Sequence, residues 1–352
     1  MARSPQVLAS LAQAPLVLAP LAGGPGRPEL VAAVAQAGVF GFLPAGYKTA
    51  SELTADVQRV RSMTSAPFGV NVFVPAPDRV DHQALDRYLA EIRPDADRLG
   101  VELGPAAWDD DDWDAKITAL VADPVPVVSF TFGCPPADVV GDLHRAGSEV
   151  VVTVTSADEA VAAQSVGADG VCVQGVEAGG HQGTFTDDQP GGPGDDPGPG
   201  GDLMSRLHAV RQAVHLPVIA AGGLMTGSDI AAVLATGATA AQLGTAFLRS
   251  TESGASDVHK AALAAGGDTA LTRAFSGRTA RGVVNRFMVD HPAAPSAYPH
   301  VNSATKALRR ESARRGDPDA VNLWAGQRFA QATTGDAATI ADRLLAELAA
   351  AR

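Results

Sequence analysis

Eight short apolar segments constrain the fold of this chain more than any other feature. They are rich in β-branched residues and nearly continuous in hydrophobicity, without the alternation that marks a half-buried strand. The segments are Pro15–Ala19, Val39–Leu43, Phe68–Val74, Val125–Thr131, Glu149–Thr155, Gly170–Val173, Pro217–Ala221 and Ala240–Leu243. Such segments are typical of strands that are buried on both faces of a parallel sheet.

Helix signals between these segments indicate repeated strand–helix units. Ser156 with Glu159 predicts a capping box, and Asp202 and Ser228 are expected to cap two further helices. A glycine closes a helix just before the next strand at Gly38, Gly147, Gly167 and Gly237. Eight units of this kind predict a closed TIM (β/α)₈ barrel, an α/β fold, with a doubly wound open sheet as the alternative.

The pattern changes after the eighth segment, which predicts a second and smaller unit. The chain has 352 residues, 46% of them hydrophobic, enough for one large core and an appended unit. We expect residues 1–254 to form the barrel and residues 255–325 to form a smaller α+β substrate or cap domain over its mouth. Residues 326–352 are expected to end in an amphipathic helix that packs back on the barrel.

Two insertions interrupt the regular spacing of the units. Residues 78–124 carry the acidic run Asp109–Asp112 and are expected to add helices beside the third unit. Residues 189–201 are almost entirely Gly, Pro and Asp. They predict a flexible loop, because they have no apolar side chain to bury.

Charge and cysteine content exclude several classes of function. The formal net charge of −12 argues against nucleic-acid binding. No apolar stretch approaches the roughly 20 residues that cross a bilayer. The apolar stretch Val7–Ala22, interrupted by Pro15 and Pro20, predicts a short helix before the first strand, with a signal peptide as the alternative. Only Cys134 and Cys172 are present, which excludes a disulfide framework and favours a reducing, cytoplasmic location.

The sixth apolar segment passes directly into a glycine-rich turn that carries His181. The glycines are Gly175, Gly179, Gly180 and Gly183. Loops of this kind follow the carboxyl ends of parallel strands, where the backbone approaches a ligand closely. We therefore expect a catalytic or substrate-binding role for His181; the alternative is a loop histidine bonded to a carbonyl. Metal binding is not expected, because no second His, Cys or carboxylate stands at ligand spacing.

Two more glycine-containing loops follow the seventh and eighth segments. The first holds Gly222 and Gly223, and the second is formed by Gln242, Leu243, Gly244 and Thr245. In a (β/α)₈ barrel these two loops are the usual phosphate site, where backbone N–H groups meet the anion. Together they predict a phosphorylated cofactor, with simple turn formation as the alternative for either loop alone.

Two amide side chains stand among apolar strand residues. Asn71 lies within the third segment, and Gln174 follows the sixth. An amide in such surroundings is costly unless it is hydrogen-bonded. We predict that both face the barrel mouth and bind a heteroaromatic ring such as flavin; the alternative is that each satisfies a nearby backbone group. Cys134, after the fourth segment, is expected to serve packing.

Short motifs along the chain carry a resemblance to a known family. They are APLAGG near the start, LPAGY at residues 43–47, GVNVFVP at 69–75, SFTFG at 129–133, GVEAGGHQG, AAGGL and QLGTAF. Together they resemble the class I nitronate monooxygenases, from about residue 15 to residue 290. The resemblance implies a barrel with a small substrate domain, non-covalently bound FMN and a catalytic His181. It also implies FMN contacts at Asn71, Gln174, Gly179, Gly222 and residues 242–245.

The chain departs from the family pattern in three places. The pair Gly26–Arg27 stands where a small hydroxylic pair is usual, Gln182 stands where arginine is common, and residues 189–201 form an insert. These departures concern the rim and the choice of substrate more than the chemistry. Tyr298 and Lys306 resemble pocket residues of the family.

The leading functional hypothesis is an FMN-dependent monooxygenase that oxidises alkyl nitronates, such as propionate 3-nitronate, with O₂ to carbonyl compounds and nitrite. The expected partners are a small nitronate or nitroalkane, O₂ and, as an assembly, a second copy of the chain. One alternative is an FMN-dependent enoyl-thioester or quinone reductase that uses NAD(P)H, against which the motifs GVNVFVP and SFTFG speak. Another alternative is a barrel that binds a phosphorylated ligand without turnover.

Overall fold

The computed structural model describes residues 7–187 and 201–352. The described strands are β1 (Leu16–Leu18), β2 (Phe40–Pro44), β3 (Gly69–Phe73), β4 (Val127–Thr131), β5 (Glu149–Val154), β6 (Gly170–Gln174), β7 (Gly180–His181), β8 (Val218–Ala221), β9 (Ala240–Leu243), β10 (Thr269–Thr272) and β11 (Ala280–Val283). Strands β1–β6, β8 and β9 are parallel and form a closed barrel in that order, with β9 paired to β1. The predicted TIM barrel is confirmed, and the open sheet is excluded.

Helices connect the strands and extend beyond the barrel. The described helices are α1 (Val7–Ser10), α2 (Pro28–Gln36), α3 (Ala50–Met63), α4 (His82–Leu99), α5 (Trp113–Ala122), α6 (Ala137–Ala146), α7 (Ala157–Ser165), α8 (Leu203–Ala213), α9 (Gly227–Ala235), α10 (Asp257–Ala265), α11 (Arg286–Asp290), α12 (His300–Ala304), α13 (Lys306–Arg314) and α14 (Ala337–Ala351). The predicted flexible loop at 189–201 lies outside the described residues, apart from Gly201. No helix in the described ranges is long and apolar enough to span a membrane.

The helix caps agree with the sequence in part. Asp202 caps α8 by accepting a hydrogen bond from the N–H of Ser205 at 2.9 Å, as predicted. The Ser156 hydroxyl accepts one from the N–H of Glu159 at 3.2 Å. The carboxylate of Glu159, however, accepts from the N–H of Thr155 at 2.5 Å and not from Ser156, so the reciprocal half of the predicted capping box is displaced by one residue.

The predicted cap at Ser228 is wrong, because α9 begins two residues earlier in the chain. Thr226 is the N-cap in extended conformation, and its hydroxyl accepts a hydrogen bond from the N–H of Asp229 at 3.2 Å. The Asp229 carboxylate accepts the N–H of Thr226 in return, at 2.9 Å. The two bonds form a complete capping box.

The main hydrophobic core lies between the barrel strands and the surrounding helices, and α14 packs against α9 and α2. A separate cluster fills the amino-terminal end of the barrel, where Leu8 and Leu11 cover the inward-facing strand residues. The Glu149 carboxylate accepts the N–H groups of Val7 and Leu8 at 2.9 Å and so holds α1 in place. The predicted short helix before the first strand is confirmed.

A second core lies outside the barrel. It joins α4 to buried residues between 274 and 320, whereas α5 of the same insertion packs with α3 and α6 beside the barrel. Strands β10, β11 and β7 form a small antiparallel sheet next to this core. The domain boundaries remain a proposal, and on this packing we would add residues 82–99 to the smaller unit.

Candidate active site

The His181 loop joins the barrel to the small sheet. His181 pairs with Ala280 of β11 in antiparallel register. On the barrel side, Gln174 at the end of β6 holds the same loop: its Nε2 donates to the carbonyl of His181 at 3.1 Å, and its Oε1 accepts the N–H of Gly183 at 2.6 Å. Both polar groups of Gln174 therefore satisfy backbone groups, and its contact with flavin remains a prediction.

Aromatic side chains surround the imidazole of His181. The ring centroids of Phe132, Tyr298 and Trp324 lie 5.8, 5.8 and 5.6 Å from that of His181. Phe132 follows β4, whereas Tyr298 and Trp324 come from the C-terminal part of the chain. The sequence places these groups far apart, and the docking of the smaller unit brings them together at the mouth of the barrel.

One nitrogen of His181 has a hydrogen-bond partner. Nε2 lies 2.8 Å from the hydroxyl oxygen of Ser276, and that hydroxyl donates to the carbonyl of Arg278 at 3.0 Å. Because the Ser276 proton is directed to the carbonyl, Nε2 must donate to the hydroxyl oxygen. The tautomer assigned by this network carries its proton on Nε2. Nδ1 then offers a lone pair, and it has no hydrogen-bond partner among the described residues.

Two arginines, one buried and one partly buried, make the site electropositive. The Arg278 guanidinium lies 4.1 Å from the centre of the Phe132 ring and donates to the carbonyl of Thr184. Arg309 donates to neutral oxygens of Thr305 and Asn302, at 3.1 and 2.9 Å. Neither guanidinium forms an ion pair within the described residues.

Burial and these two cations determine the protonation state of His181. Burial first, and then the charges of Arg278 and Arg309, lower the pKa of His181 to about 3. The imidazole is therefore neutral at physiological pH, and an anion bound beside it would meet two cations that form no ion pair within the described residues.

Two phenols belong to the same group of aromatic side chains: Tyr298 contacts His181 and Phe132, and Tyr47 contacts Phe73. Burial raises the pKa of Tyr47 to about 12, and it raises the pKa of Tyr298 well above the ordinary value. The two phenols influence each other, yet the Tyr47 hydroxyl is buried and lacks a partner of good hydrogen-bond geometry. Both hydroxyls therefore keep their protons and can donate to a ligand.

Asn71 is 2% exposed in β3, and its amide nitrogen is satisfied within the barrel. Nδ2 donates to the hydroxyls of Ser129 and Thr131 at 2.9 and 3.0 Å. Its carbonyl oxygen has no partner in the part of the chain that the structure describes. The residue fits a flavin ring only as an acceptor for a ring N–H, since its donors are already used.

The two predicted phosphate loops are neighbours at the carboxyl edge of the barrel, because Ala221 pairs with Gln242. Gly222 and Gly223 have φ of +119° and +67°, and their N–H groups bond to no described residue. A Cβ on Gly222 would lie 3.0 Å from the backbone of Gly175. Free N–H groups on a strand-end turn fit the phosphate of FMN.

The remaining predicted contacts have partners within the protein. A Cβ on Gly179 would lie 2.5 Å from the backbone at Ala325 and Gly326, so this glycine permits a close approach of two chain segments. A Cβ on Gly244 would lie 3.0 Å from a Leu21 methyl group. Thr245 accepts the N–H of Gly326 at 3.0 Å. Gln242 donates to the Cys172 sulfur at 3.4 Å, and Leu243 is buried in the main core.

Several site residues were not predicted from the sequence. These are Tyr47, Phe132, Ser276, Arg278, Arg309 and Trp324.

Lys306 is exposed, and Arg309, one helical turn later, lies near His181 instead. Tyr298 lies in the site, and Cys134 packs at the edge of the main core, where burial raises its pKa to about 11. In the described ranges, no group of three or more His, Cys, Asp or Glu is arranged to hold a metal.

Known proteins resemble the chain over almost its whole length. A family model described as "Nitronate monooxygenase" matches residues 5–348. A probable nitronate monooxygenase of Staphylococcus aureus (strain Newman) is 34% identical over 340 residues, covering 95% of this chain and 94% of the relative. The solved structure of nitroalkane oxidase from Streptomyces ansochromogenes is 49% identical, with a TM-score of 0.93 and 99% coverage of both chains. FabK from Thermotoga maritima is 25% identical, with a TM-score of 0.74, covering 99% of this chain and 97% of that chain.

Proposed function

This chain belongs to the nitronate monooxygenase family of oxidoreductases, and on that premise we propose that it uses FMN and O₂ to oxidise alkyl nitronates to carbonyl compounds and nitrite. Neutral nitroalkanes, from which nitronates form by loss of a proton, are proposed as a second class of substrate. The name of the Streptomyces relative, nitroalkane oxidase, supports this extension.

One observation carries the proposal: the buried guanidinium of Arg278 and the partly buried one of Arg309 lie near His181, and no carboxylate of the described residues forms an ion pair with either. Arg278 is 5% exposed, and a buried guanidinium without an anion is costly. A nitronate is a small anion, and it would supply the missing charge. The surrounding aromatic rings would exclude water from the reacting carbon.

The chain's own residues would hold the substrate and accept its proton. FMN, when bound by the Gly222–Gly223 turn and Asn71, would supply the electron acceptor. Arg278 and Arg309 would orient the two oxygens of the nitronate. With a neutral nitroalkane, Nδ1 of His181 would take the proton from the α-carbon, and the imidazolium would then lie beside the new anion, which offsets the cost of its charge.

Anaerobic mixing of the purified holoenzyme with a nitronate tests the proposal. Bleaching of the flavin band by ethyl nitronate, followed by release of nitrite when O₂ is admitted, is expected. A colourless protein that gains no flavin on addition of FMN would overturn the cofactor assignment. Rapid reduction by NADH with none by nitronate would favour the reductase alternative.

Replacement of His181 by asparagine tests the role of the imidazole. With neutral nitroethane, His181→Asn should lose roughly 10² to 10⁴ in the rate of flavin reduction, the usual contribution of a positioned base. With preformed ethyl nitronate the loss should be much smaller, because no proton is removed. Equal losses with both substrates would exclude proton abstraction by His181.

A further inference from the structure

Asp111, in the acidic run Asp109–Asp112, forms an ion pair with a buried lysine that the proposed chemistry does not use. Lys116, in the first turns of α5, is 0% exposed, and its Nζ lies 2.8 Å from Oδ2 of Asp111. A buried ion pair contributes little net stability and is often kept for the geometry that it imposes.

The second oxygen of Asp111 holds the loop that carries Tyr47. Oδ1 accepts the N–H of Tyr47 at 2.8 Å, although the two residues are 64 positions apart. Tyr47 has φ of +66°, a left-handed conformation that is unfavourable for a residue with a side chain. Asp111 itself has φ of +59°. The hydrogen bond between Asp111 and Tyr47 thus joins two residues in left-handed conformations. Lys116 holds the Asp111 carboxylate that accepts this bond.

The left-handed backbone of Tyr47 directs its ring toward the aromatic side chains beside His181. The ring contacts Phe73 edge-on, with centroids 5.4 Å apart, and Phe73 in turn contacts Phe132 beside the histidine. The hydroxyl of Tyr47 is buried near the Tyr298 hydroxyl, makes no hydrogen bond of good geometry with any described residue, and lies in the field of Arg278 and Arg309. Buried hydroxyls almost always have a partner, so a ligand is the expected acceptor.

We propose that the Asp111–Lys116 ion pair is a positioning device that holds Tyr47 in its left-handed conformation, so that the Tyr47 hydroxyl donates a hydrogen bond to the substrate anion. The inference rests on the proposed function, since it takes the ligand to be a nitronate. Asp111 and Lys116 touch no substrate and act through Tyr47 alone. Tyr47 contributes to binding, and neither member of the pair takes part in electron transfer.

A double-mutant cycle on the holoenzyme tests this proposal. Asp111→Ala is combined with Lys116→Met, so that no unpaired charge stays buried. This double variant and Tyr47→Phe should each raise KM for ethyl nitronate about tenfold. Each should also raise Kd for the product anion nitrite about tenfold. A factor of this size is expected from the loss of one hydrogen bond to an anion. The limiting rate of anaerobic flavin reduction and the FMN content should stay within about twofold. In the Tyr47→Phe background, loss of the ion pair should add less than twofold.

A control variant tests whether the loss of charge alone changes KM, and the outcomes below distinguish failure of this proposal from failure of the proposed function. Asp114→Asn removes one charge from the exposed start of the same helix, makes no contact with Tyr47, and should leave KM unchanged. Additive effects of the two changes, or an unchanged KM in either, would overturn the positioning role while the wild type still reacts with nitronate. If the ion-pair variant does not fold, Asp111→Asn with Lys116→Met takes its place in the cycle: it removes both charges, keeps the volume, and leaves only an uncharged acceptor for the Tyr47 N–H. A wild-type enzyme that nitronate does not reduce would refute the proposed function itself.

Discussion

Ser276 determines which nitrogen of His181 is free, because its hydroxyl lies 2.8 Å from Nε2 and donates its own proton to the carbonyl of Arg278. The backbone N–H of Arg278 also donates to that hydroxyl, at 3.3 Å. The serine side chain is 1% exposed, so water does not compete for these bonds. The imidazole is thereby held with an Nδ1 lone pair that none of the described residues engages.

Without the Ser276 hydroxyl, His181 should no longer be held in the tautomer that carries its proton on Nε2. We expect Ser276→Ala to keep its FMN but to reduce the rate of flavin reduction by neutral nitroethane by about tenfold, as is typical when a hydrogen bond that orients a base is removed. Preformed ethyl nitronate should react at a nearly unchanged rate. Ser276→Thr keeps the hydroxyl and should recover most of the activity; if it is as slow as the alanine variant, packing and not the hydrogen bond is responsible.

The pH profile should lack the ionisation of an ordinary histidine. Because the pKa of His181 is lowered to about 3, the imidazole stays neutral from pH 5 to pH 8. A plot of kcat/KM for ethyl nitronate against pH should therefore be flat near pH 6.5, once the protonation of the substrate itself is corrected for. An inflection near pH 6.5 that disappears in His181→Asn would show that the cavity does not depress this pKa.

Cofactor retention should depend on Gly222. A valine there would need φ near +119° and would place its Cβ 3.0 Å from the backbone of Gly175, so the turn that presents the N–H groups cannot keep its shape. Gly222→Val should be purified with little or no FMN, and Gly244→Val should also lose FMN. Gly141→Ala, in the middle of α6, is the matched control, because its Cβ would meet only the flexible end of Arg145. Full flavin content in Gly222→Val would exclude this loop as the phosphate site.

Acid should destabilise the fold partly through His259. Its Nε2 lies 3.0 Å from the carbonyl of Trp324, and burial lowers its pKa to about 4. Between pH 6.5 and about 4 the unfolded chain binds a proton at this residue while the folded protein does not, so the free energy of unfolding falls as pH decreases through that window. His259→Gln should lessen this pH dependence by up to about 1.4 kcal/mol per pH unit, measured by urea unfolding at pH 7 and pH 5. An unchanged slope would contradict the depressed pKa.

The barrel could be predicted from the sequence because most of its strands are apolar runs with a glycine or proline close to one end. Local rules also located Asp202 as a cap, and they failed at Ser228 only because Thr226 and Asp229 form a better box two residues earlier. The assignment of α4 to the second core could not be predicted, since an amphipathic helix does not specify which of two cores it contacts.

Residues of the candidate site could be predicted only where they lie in barrel strands or directly after them. His181, Asn71 and the glycine loops follow or lie in barrel strands, and the position of a strand end is fixed by the fold. Ser276, Arg309 and Trp324 come from the smaller unit, and their place depends on how that unit docks. The neutral state of His181 follows from that docking too, because Arg309 is 128 positions away in the chain.

The short strand β7 makes His181 a shared part of both units. It is hydrogen-bonded to β11 of the small sheet, while Gln174 holds the same residues to the barrel wall. The smaller unit therefore cannot move away from the barrel without breaking hydrogen bonds, either those between β7 and β11 or those made by Gln174. Either loss would displace His181. Small substrates must then reach His181 through movements of side chains or of nearby loops. Because the smaller unit is fixed to the barrel, the size of the molecule that can enter is limited.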